Sequence, residues 1–219
     1  MKICLNCIAF SNNIPYDHIP NLTGAVHKWI GTHNNIHGEV SLYSFSWLEG
    51  GKSGKGGLSF PEGTRWFIGT HDPVLLKTIV KGIQEDPQIC FGIRVADITI
   101  LDTPTFETEE RFLLSSPVLI KRRDGERTEH VLFDHEKAGD YLTETMVTKM
   151  NKAGIQAEGV RIDFDKNYHS PKTKLVNYKG VKNRASLCPV IIKGSPEQIA
   201  FAWNVGVGNS TGIGFGSLK

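Results

Sequence analysis

Three histidines, His27, His33 and His37, fall within eleven residues of this chain. A histidine has a pKa of about 6.5, so a pair can act as general base and general acid near neutrality. On a helical wheel His27 lies away from the apolar stripe, whereas His33 falls nearer to it and suits a packing role. His37 sits in the turn before the second strand, within reach of the end of that helix, and the clustering favours a catalytic role for at least one of the three histidines. A metal triad is the competing interpretation, but no carboxylate or cysteine pattern accompanies these histidines, and we expect no metal or other cofactor.

The last residues, Gly206 to Lys219, place five glycines in eleven positions. Glycine at this density permits positive φ and lets a phosphate approach bare amides, so the segment predicts a phosphate-binding loop. The dinucleotide pattern G-x-G-x-x-G is excluded because it requires glycine where Thr211 stands. A nucleoside-triphosphate P-loop ending at Gly51-Lys52-Ser53 is excluded because Ser46 replaces its first glycine. Residues 50–57 predict a hairpin tip instead.

Positive charge is concentrated towards the end of the chain. Residues 166–219 carry 8 Lys/Arg against the single Glu197, whereas residues 1–165 carry 17 against 22 Asp/Glu. This imbalance is typical either of a solvated hairpin face or of a surface that binds an RNA backbone, and its position next to the glycine segment favours RNA. A second basic cluster, Lys121-Arg122-Arg123 with Arg127, is interrupted by Asp124 and Glu126 and is weaker evidence.

The composition is that of a globular protein, with 39% hydrophobic and 22% charged residues. No window reaches the ~18 apolar residues of a membrane span. The first residues alternate like a strand rather than a signal peptide, so we predict a cytoplasmic protein without membrane partners. Cys4 and Cys7 form C-x-x-C, but residues three apart on a strand point to opposite faces, which favours buried thiols over a zinc site.

The elements that would position the histidines follow from hydrophobic periodicity. The first half predicts a strand over 2–10, a helix from Pro20 to Gly31, a strand over 40–48, a strand over 64–70, a helix that Asp72 caps and that reaches about Glu85, and a strand over 88–101. This βαββαβ order is that of ferredoxin-like and RNA-recognition modules. Tyr43, Phe45 and Trp47 share one face of their strand, which favours core packing over base stacking.

A linker over 102–111 precedes a second, less regular copy of the same order. It predicts strands near 113–122 and 128–133, a helix near 135–151, strands near 159–165, 173–179 and 186–193, and a helix from Pro196 to Asn204. The chain is long enough for two such units. We therefore predict an α+β protein of tandem ferredoxin-like (RRM-like) domains, over residues 1–103 and 112–219.

One motif has a specific counterpart. The glycine segment reads G-h-G-x5-G-h-G, with h apolar, as Gly206-Val207-Gly208, five residues, and Gly214-Phe215-Gly216. This resembles the signature of CRISPR-associated endoribonucleases of the sixth Cas family, in the RAMP superfamily, which cut precursor CRISPR RNA within its repeats. The resemblance covers the first-helix region and the C-terminal half, and it implies tandem ferredoxin-like domains with the glycine loop after the last helix.

The resemblance also implies site residues. The family's catalytic histidine lies in or just after the first helix, and Ile36-His37-Gly38-Glu39 is similar to that position. His27 stands where a helical tyrosine often assists, as in members that use two histidines. The family's third partner, a lysine after the histidine, has no clear match, and Lys52, Lys55 and Arg65 are candidates for that role.

The implied reaction is metal-independent cleavage by the 2′-hydroxyl group, leaving a 2′,3′-cyclic phosphate and a 5′-hydroxyl end. CRISPR repeat RNA is the expected partner, while effector-complex proteins and a homodimer stay open. The expected RNA-binding residues are Gly206, Gly208, Asn209, Ser210, Gly214, Gly216, Lys172, Lys174, Lys182, Arg184 and Lys52. The alternatives are a non-catalytic protein of the same fold that binds repeat RNA, and a regulator that binds a small nucleotide.

Overall fold

The structure is a computed structural model that describes residues 1–10, 13–31, 40–125 and 127–219. The predicted residues His33 and His37 lie outside the described residues. Within the described part of the chain, no helix is both long and apolar enough to cross a bilayer.

The first half of the chain forms one five-stranded antiparallel sheet with two helices. Its elements are β1 (Lys2–Ala9), α1 (Ile19–Ile30), β2 (Tyr43–Phe45), β3 (Lys52–Gly54), β4 (Gly57–Ser59), β5 (Thr64–Thr70), α2 (Pro73–Glu85), β6 (Gln88–Cys90) and β7 (Ile93–Leu101). The sheet order is β2-β5-β1-β7-β6, and β3 with β4 forms a separate hairpin. Without β6 and that hairpin, this is the order of a ferredoxin-like sheet, so the predicted topology of this half is confirmed.

The helices begin and end where the sequence predicts. Helix α1 has proline in its first turn and ends at Gly31, whose φ is 90°. Its residues Leu22, Val26 and Trp29 are buried against the sheet at helical spacing. Helix α2 is capped by Asp72, whose side chain accepts a hydrogen bond from Val74 N at 2.7 Å. Local signals therefore fix both helices, and packing of one apolar face holds them on the sheet.

The predicted strand over 88–101 is wrong, because the structure divides it into the hairpin β6–β7. The chain reverses at Phe91 and Gly92, with φ of 48° and 74°. Positive φ at a phenylalanine is uncommon, so this turn carries little sequence signal.

The predicted strands over 40–48 and 186–193 also need correction. Only Tyr43–Phe45 of the first forms a sheet strand, because Trp47 N donates to Ser115 O of the second half at 3.0 Å. The second is interrupted near Pro189, which has no N–H for a sheet hydrogen bond.

The second half contains a smaller sheet, two hairpins and two helices. Its elements are β8 (Glu109–Phe112), β9 (Ile120–Asp124), β10 (Arg127–Val131), α3 (Ala138–Ala153), β11 (Arg161–Phe164), β12 (Lys172–Tyr178), β13 (Val181–Leu187), β14 (Val190–Lys193), α4 (Pro196–Val205) and a 3-10 turn (Thr211–Ile213). The antiparallel sheet has the order β11-β14-β8. Ser115 N donates to Ser217 O at 2.8 Å and Lys219 N to Leu113 O at 2.9 Å, so the last residues extend this sheet.

The glycine segment, residues 206–216, lies between the two halves and is called the glycine loop below. It follows α4, as predicted, and packs against β2. Trp47 Nε1 donates to Gly214 O at 2.9 Å, and Ser44 Oγ donates to Asn204 O at 3.2 Å. Contacts of this kind join the halves, whereas the boundaries 1–103 and 112–219 stay a prediction.

Candidate functional site

A cleft of about 600 Å³ opens where the glycine loop meets α1, β2, β9 and α3. From the first half it is lined by His27, Val40, Ser41 and Tyr43. From the second half it is lined by Lys121, Arg122, Glu144, Thr145, Thr148, Lys149 and residues 208–213 of the glycine loop. The cleft therefore brings together His27, Gly208, Asn209 and Ser210 from the predicted site.

His27 is oriented by Tyr43. His27 Nε2 lies 3.3 Å from Tyr43 Oη, and Tyr43 Oη donates to Gly212 O at 3.2 Å. Because the tyrosine proton is used on Gly212 O, the tyrosine oxygen is left to accept, which places a proton on His27 Nε2. Burial raises the pKa of Tyr43, so it stays neutral and does not act as a base. This chain of hydrogen bonds ties the histidine to the glycine loop.

The glycine loop is packed rather than open. Gly206, Gly208, Gly214 and Gly216 are buried. The loop amides that donate to protein carbonyls are Gly206 N to Ala202 O, Val207 N to Gly216 O, Asn209 N to Leu119 O, Ile213 N to Ser210 O, Gly214 N to Thr211 O and Gly216 N to Pro117 O. The prediction that these glycines offer bare amides to a phosphate is therefore wrong for Gly206, Gly214 and Gly216. Contact between the loop and RNA stays a prediction, and the segment that faces the cleft is 208–213.

Close packing explains why glycine is needed in the loop. Gly216 has φ of 65°, and a Cβ there would collide with Val207 O. A Cβ on Gly212 would lie 2.9 Å from the Tyr43 hydroxyl and 2.5 Å from Ser41 Oγ. The signature glycines thus let the loop fold onto itself and approach Tyr43.

The cleft carries positive charge. Lys121, Arg122 and Lys149 line it with the single described carboxylate Glu144, which pairs with Arg122 at 2.8 Å. Burial lowers the pKa of Lys121 and lowers that of Lys149 to about 7. A surface with this balance attracts an anion.

The C-terminal half matches a known family model. The model describes the CRISPR associated protein Cas6, C-terminal, and it matches residues 101–219, more than half of the chain. The chain belongs to the Cas6 family. This family is associated with the processing of CRISPR repeat RNA, and the resemblance read from the glycine signature is confirmed.

A curated relative from Pyrococcus furiosus is a CRISPR-associated endoribonuclease-like protein Cas6. It is 26% identical over 161 residues, which span 70% of this chain and 66% of the relative, just under two thirds of its length.

Solved structures of Cas6 and RAMP proteins share the fold over the whole chain. A Cas6-related protein from Pyrococcus furiosus has a TM-score of 0.86 at 22% identity, covering 100% of this chain and 97% of that one. A RAMP protein that binds different RNA substrates has a TM-score of 0.83 at 18% identity, covering 100% and 98%. A Cas6 product complex has a TM-score of 0.68 at 12% identity, also covering 100% and 98%. These likenesses confirm the tandem ferredoxin-like fold.

Other predicted residues do not share the cleft with His27. Lys52 and Arg65 line a separate groove beside β1, where Arg65 pairs with Glu49 at 3.0 Å. Lys172, Lys174, Lys182 and Arg184 lie on the hairpin β12–β13, which is not among the described parts of the cleft wall. His37, the position suggested by the Cas6 resemblance, stands three residues before Val40 in the sequence, and Val40 lines the cleft.

Sequence reasoning undervalues three residues of this Cas6 cleft. The strand pattern assigns Tyr43 to the core, which is right for its ring, but its hydroxyl reaches His27. Lys121 belongs to the second basic cluster, which the sequence analysis treats as weaker evidence for RNA binding. Lys149 carries no motif, although it follows Met146 and precedes Met150 on α3 and so falls beside the buried stripe of that helix.

The cysteines give the site no further chemistry. Cys4, Cys7 and Cys188 are buried, Cys90 is partly buried, and all are free thiols. Burial raises the pKa of Cys7 to about 12, which favours an inert thiol. Among the residues that the structure describes, no three His, Cys, Asp or Glu side chains form a cluster that could hold a metal ion.

Proposed function

We propose that this chain is a metal-independent endoribonuclease that cleaves precursor CRISPR RNA within its repeats and yields mature CRISPR RNA. The observation that supports this proposal best is the cleft in which His27 meets the glycine loop and three cations. A histidine supplies proton transfer and the cations match a phosphate, which are the two requirements for RNA scission. Membership of the Cas6 family supports repeat RNA as the substrate.

In the proposed reaction the RNA's own 2′-hydroxyl is the nucleophile. One histidine takes the 2′-hydroxyl proton as the 2′-oxygen attacks phosphorus, and the other gives a proton to the 5′-oxygen as the phosphorus–oxygen bond breaks. The products are a 2′,3′-cyclic phosphate and a 5′-hydroxyl end, with no net change in protons. Each histidine would contribute about a hundredfold to ten-thousandfold.

His27 and His37 are the proposed pair, and the order of acid and base stays open. With its proton on Nε2 in the neutral form, His27 presents a defined tautomer, and Tyr43 restrains the ring. Lys121 is our candidate for stabilising the pentacoordinate phosphate, since it lines the cleft while Lys52 and Arg65 do not. The side chains of Asn209 and Ser210 would position the RNA, together with those backbone N–H groups of 208–213 that do not donate within the protein, which excludes Asn209 N and Ile213 N.

The hairpin β12–β13 is proposed to bind the RNA backbone outside the cleft. Lys172, Lys174, Lys182 and Arg184 are exposed on it. Effector-complex proteins and a homodimer stay predictions that the cleft does not address.

The test is incubation of labelled repeat RNA with the protein in EDTA, with affinity measured in parallel. We expect cleavage at one site, loss of cleavage in His37→Ala and in His27→Ala with affinity retained, and no cleavage of RNA with a 2′-deoxy substitution at the cut site. His71→Ala is the matched control, because His71 is an exposed histidine that packs on Phe201 and does not line the cleft. It should cleave like the parent.

Two outcomes would overturn parts of the proposal. Cleavage of the 2′-deoxy substrate would exclude attack by the 2′-hydroxyl. Tight binding without cleavage by the parent protein would make this chain a repeat-binding protein of the same fold, in line with the endoribonuclease-like description of its relative.

A further inference from the structure

Lys149 is a buried lysine that holds the glycine loop. Only 2% of its surface is exposed. Its Nζ donates to Gly206 O at 3.0 Å, to Val205 O at 3.5 Å and to Thr211 Oγ1 at 3.2 Å. One ammonium group therefore joins the end of α4 to the segment of the loop that faces the cleft.

The Lys149 ammonium contacts neutral dipolar groups, two backbone carbonyls and a threonine hydroxyl, rather than a carboxylate. Val205 and Gly206 supply carbonyls at the C-terminus of α4, where a helix carries partial negative charge. Within the described part of the chain no carboxylate pairs with Lys149, and residues 198–218, which supply its acceptors, contain no charged residue. A buried charge that is compensated only by dipoles loses much of its solvation energy. This desolvation lowers the pKa of Lys149 to about 7.

The other charged groups around Lys149 also favour a bound anion. His27 of α1, Tyr43 of β2, Lys121 and Arg122 of β9 and Glu144 of α3 line the same cleft. Tyr43 is neutral and Glu144 is paired with Arg122. Asp140 at the beginning of α3 and Asp163 of β11 both pair with Arg161 of β11. A polyanion in the cleft would therefore supply the negative charge that the site lacks.

We infer that Lys149 is a positioning residue whose protonation is coupled to RNA binding: its ammonium form holds segment 208–213 in place, and RNA phosphate in the cleft favours that form. The inference rests on the proposed function, because it takes repeat RNA as the anion. A neutral amine keeps two N–H donors for the three acceptors, so deprotonation removes one restraint on the loop. A phosphate nearby makes the charged form more favourable, and a proton is taken up as RNA binds.

The protonation of Lys149 determines whether RNA affinity rises or falls with pH. Below pH 7 Lys149 is already charged and binding needs no proton from solution. Above pH 7 each binding event must first protonate it, so affinity falls by up to about tenfold per pH unit. The fall continues until the pH reaches the pKa of Lys149 in the complex.

The experiment measures the binding of repeat RNA that carries a 2′-deoxy substitution at the cut site. Titration calorimetry at pH 6.5 to 8.5, in buffers of different ionisation enthalpy, gives both the affinity and the number of protons taken up. We expect the parent to bind more weakly as pH rises and to take up protons at pH 8. Lys149→Met should bind at least tenfold more weakly at pH 6.5 and should take up fewer protons. The difference between these two proteins isolates Lys149 from the histidines.

Lys2→Met is the matched control. Lys2 is likewise buried, with a pKa lowered to about 7, but it bonds Leu218 O, lies over the Trp203 ring and does not line the cleft. Its proton uptake on RNA binding should equal that of the parent. Equal uptake by the parent and Lys149→Met would overturn the inference.

A third measurement protects against a variant that fails to fold. The ¹³Cε resonance of Lys149 in the parent reports its titration directly, and RNA should move its midpoint upwards. An unchanged midpoint with RNA bound would overturn the inference while leaving the proposed function intact. A parent that binds no RNA would instead overturn the proposed function itself.

Discussion

Individual side chains in the cleft serve the fold and the site together. The ring of Tyr43 is buried in the hydrophobic core of the first half of the chain, while its hydroxyl bridges His27 and Gly212. Lys149 stands on the buried side of α3 and holds the end of α4. Since each residue connects an element to the glycine loop, changes here should alter the chemistry of the cleft as well as stability.

Tyr43→Phe tests whether the Tyr43 hydroxyl positions His27 for cleavage. It removes the restraint on His27 and leaves Gly212 O without its donor, so we expect cleavage to fall roughly tenfold while RNA affinity is retained. The cost in stability should be about 1 kcal/mol, as for a typical hydrogen bond. Single-turnover cleavage and urea unfolding measure the two effects.

Tyr16→Phe is the control for Tyr43→Phe. It also removes a hydroxyl that donates to a carbonyl, that of Gly54 at 3.0 Å, but it does so on an exposed surface outside the cleft. An equal decrease of cleavage in the two variants would show that the Tyr43 hydroxyl does not position His27.

At the scale of elements, the hairpin β12–β13 divides the basic stretch between two faces. Its register pairs Lys174 with Ala185 and Leu175 with Arg184. Residues directly opposite one another on the two strands share a face of the hairpin, and successive residues along a strand alternate between its faces. Lys172 and Lys174 therefore lie on one face, and Lys182 and Arg184 lie on the other. The face of Lys174 also bears Val176 and Ala185, which pack with Leu119 and Phe215.

A single RNA strand on this hairpin should therefore bind one pair of cations. We expect one of the double variants Lys172→Ala/Lys174→Ala and Lys182→Ala/Arg184→Ala to lower the salt dependence of binding, by about 0.7 in the log–log slope for each RNA phosphate that is no longer neutralised. The other pair should leave the slope nearly unchanged. Affinities over a range of KCl concentrations measure it, and equal decreases in slope from both pairs would contradict binding through one face.

Local signals determine how far sequence predicts these elements. Pro20, Gly31 and Asp72 mark the helix ends correctly because caps act within one turn. The run 88–101 contains strand-forming residues on both sides of its turn, and periodicity cannot distinguish one long strand from a hairpin without a typical turn signal. Pairing of Trp47 with Ser115, which shortens β2, depends on residues far apart in sequence.

Across the whole molecule, the parts of the site that depend on local sequence signals are predicted, and the parts that depend on contacts between residues far apart in sequence are not. The glycine signature and His27 are local features, and the sequence alone identifies them. The cleft itself forms only when α1 and β2 of one half meet β9, α3 and the glycine loop of the other. A lysine on a helix usually faces solvent, and nothing local predicts that Lys149 is covered by α4 and the loop.

The two buried lysines give the molecule a pH dependence of stability. Burial lowers the pKa of both Lys2 and Lys149 from 10.5 to about 7. Between pH 7 and about 10 the unfolded chain therefore binds more protons than the folded one, and the free energy of unfolding rises with pH. Burial raises the pKa of Cys90 and Cys188 to about 11, which opposes the rise above about pH 9.

The window for this measurement is pH 7 to 9, where the N-terminal amine also contributes because burial lowers its pKa from 8.0 to about 6, so comparing the parent with each methionine variant isolates the lysines. We expect the urea midpoint of the free protein to increase across it, and Lys2→Met and Lys149→Met each to remove part of the increase. In the same window RNA affinity should fall, and only Lys149→Met should reduce that fall. One ammonium group thus predicts opposite pH dependences for stability and for binding. A pH dependence of the midpoint that is the same in the parent and in both variants would show that neither lysine is forced towards its neutral form by burial, and it would remove the physical basis for coupling Lys149 to RNA.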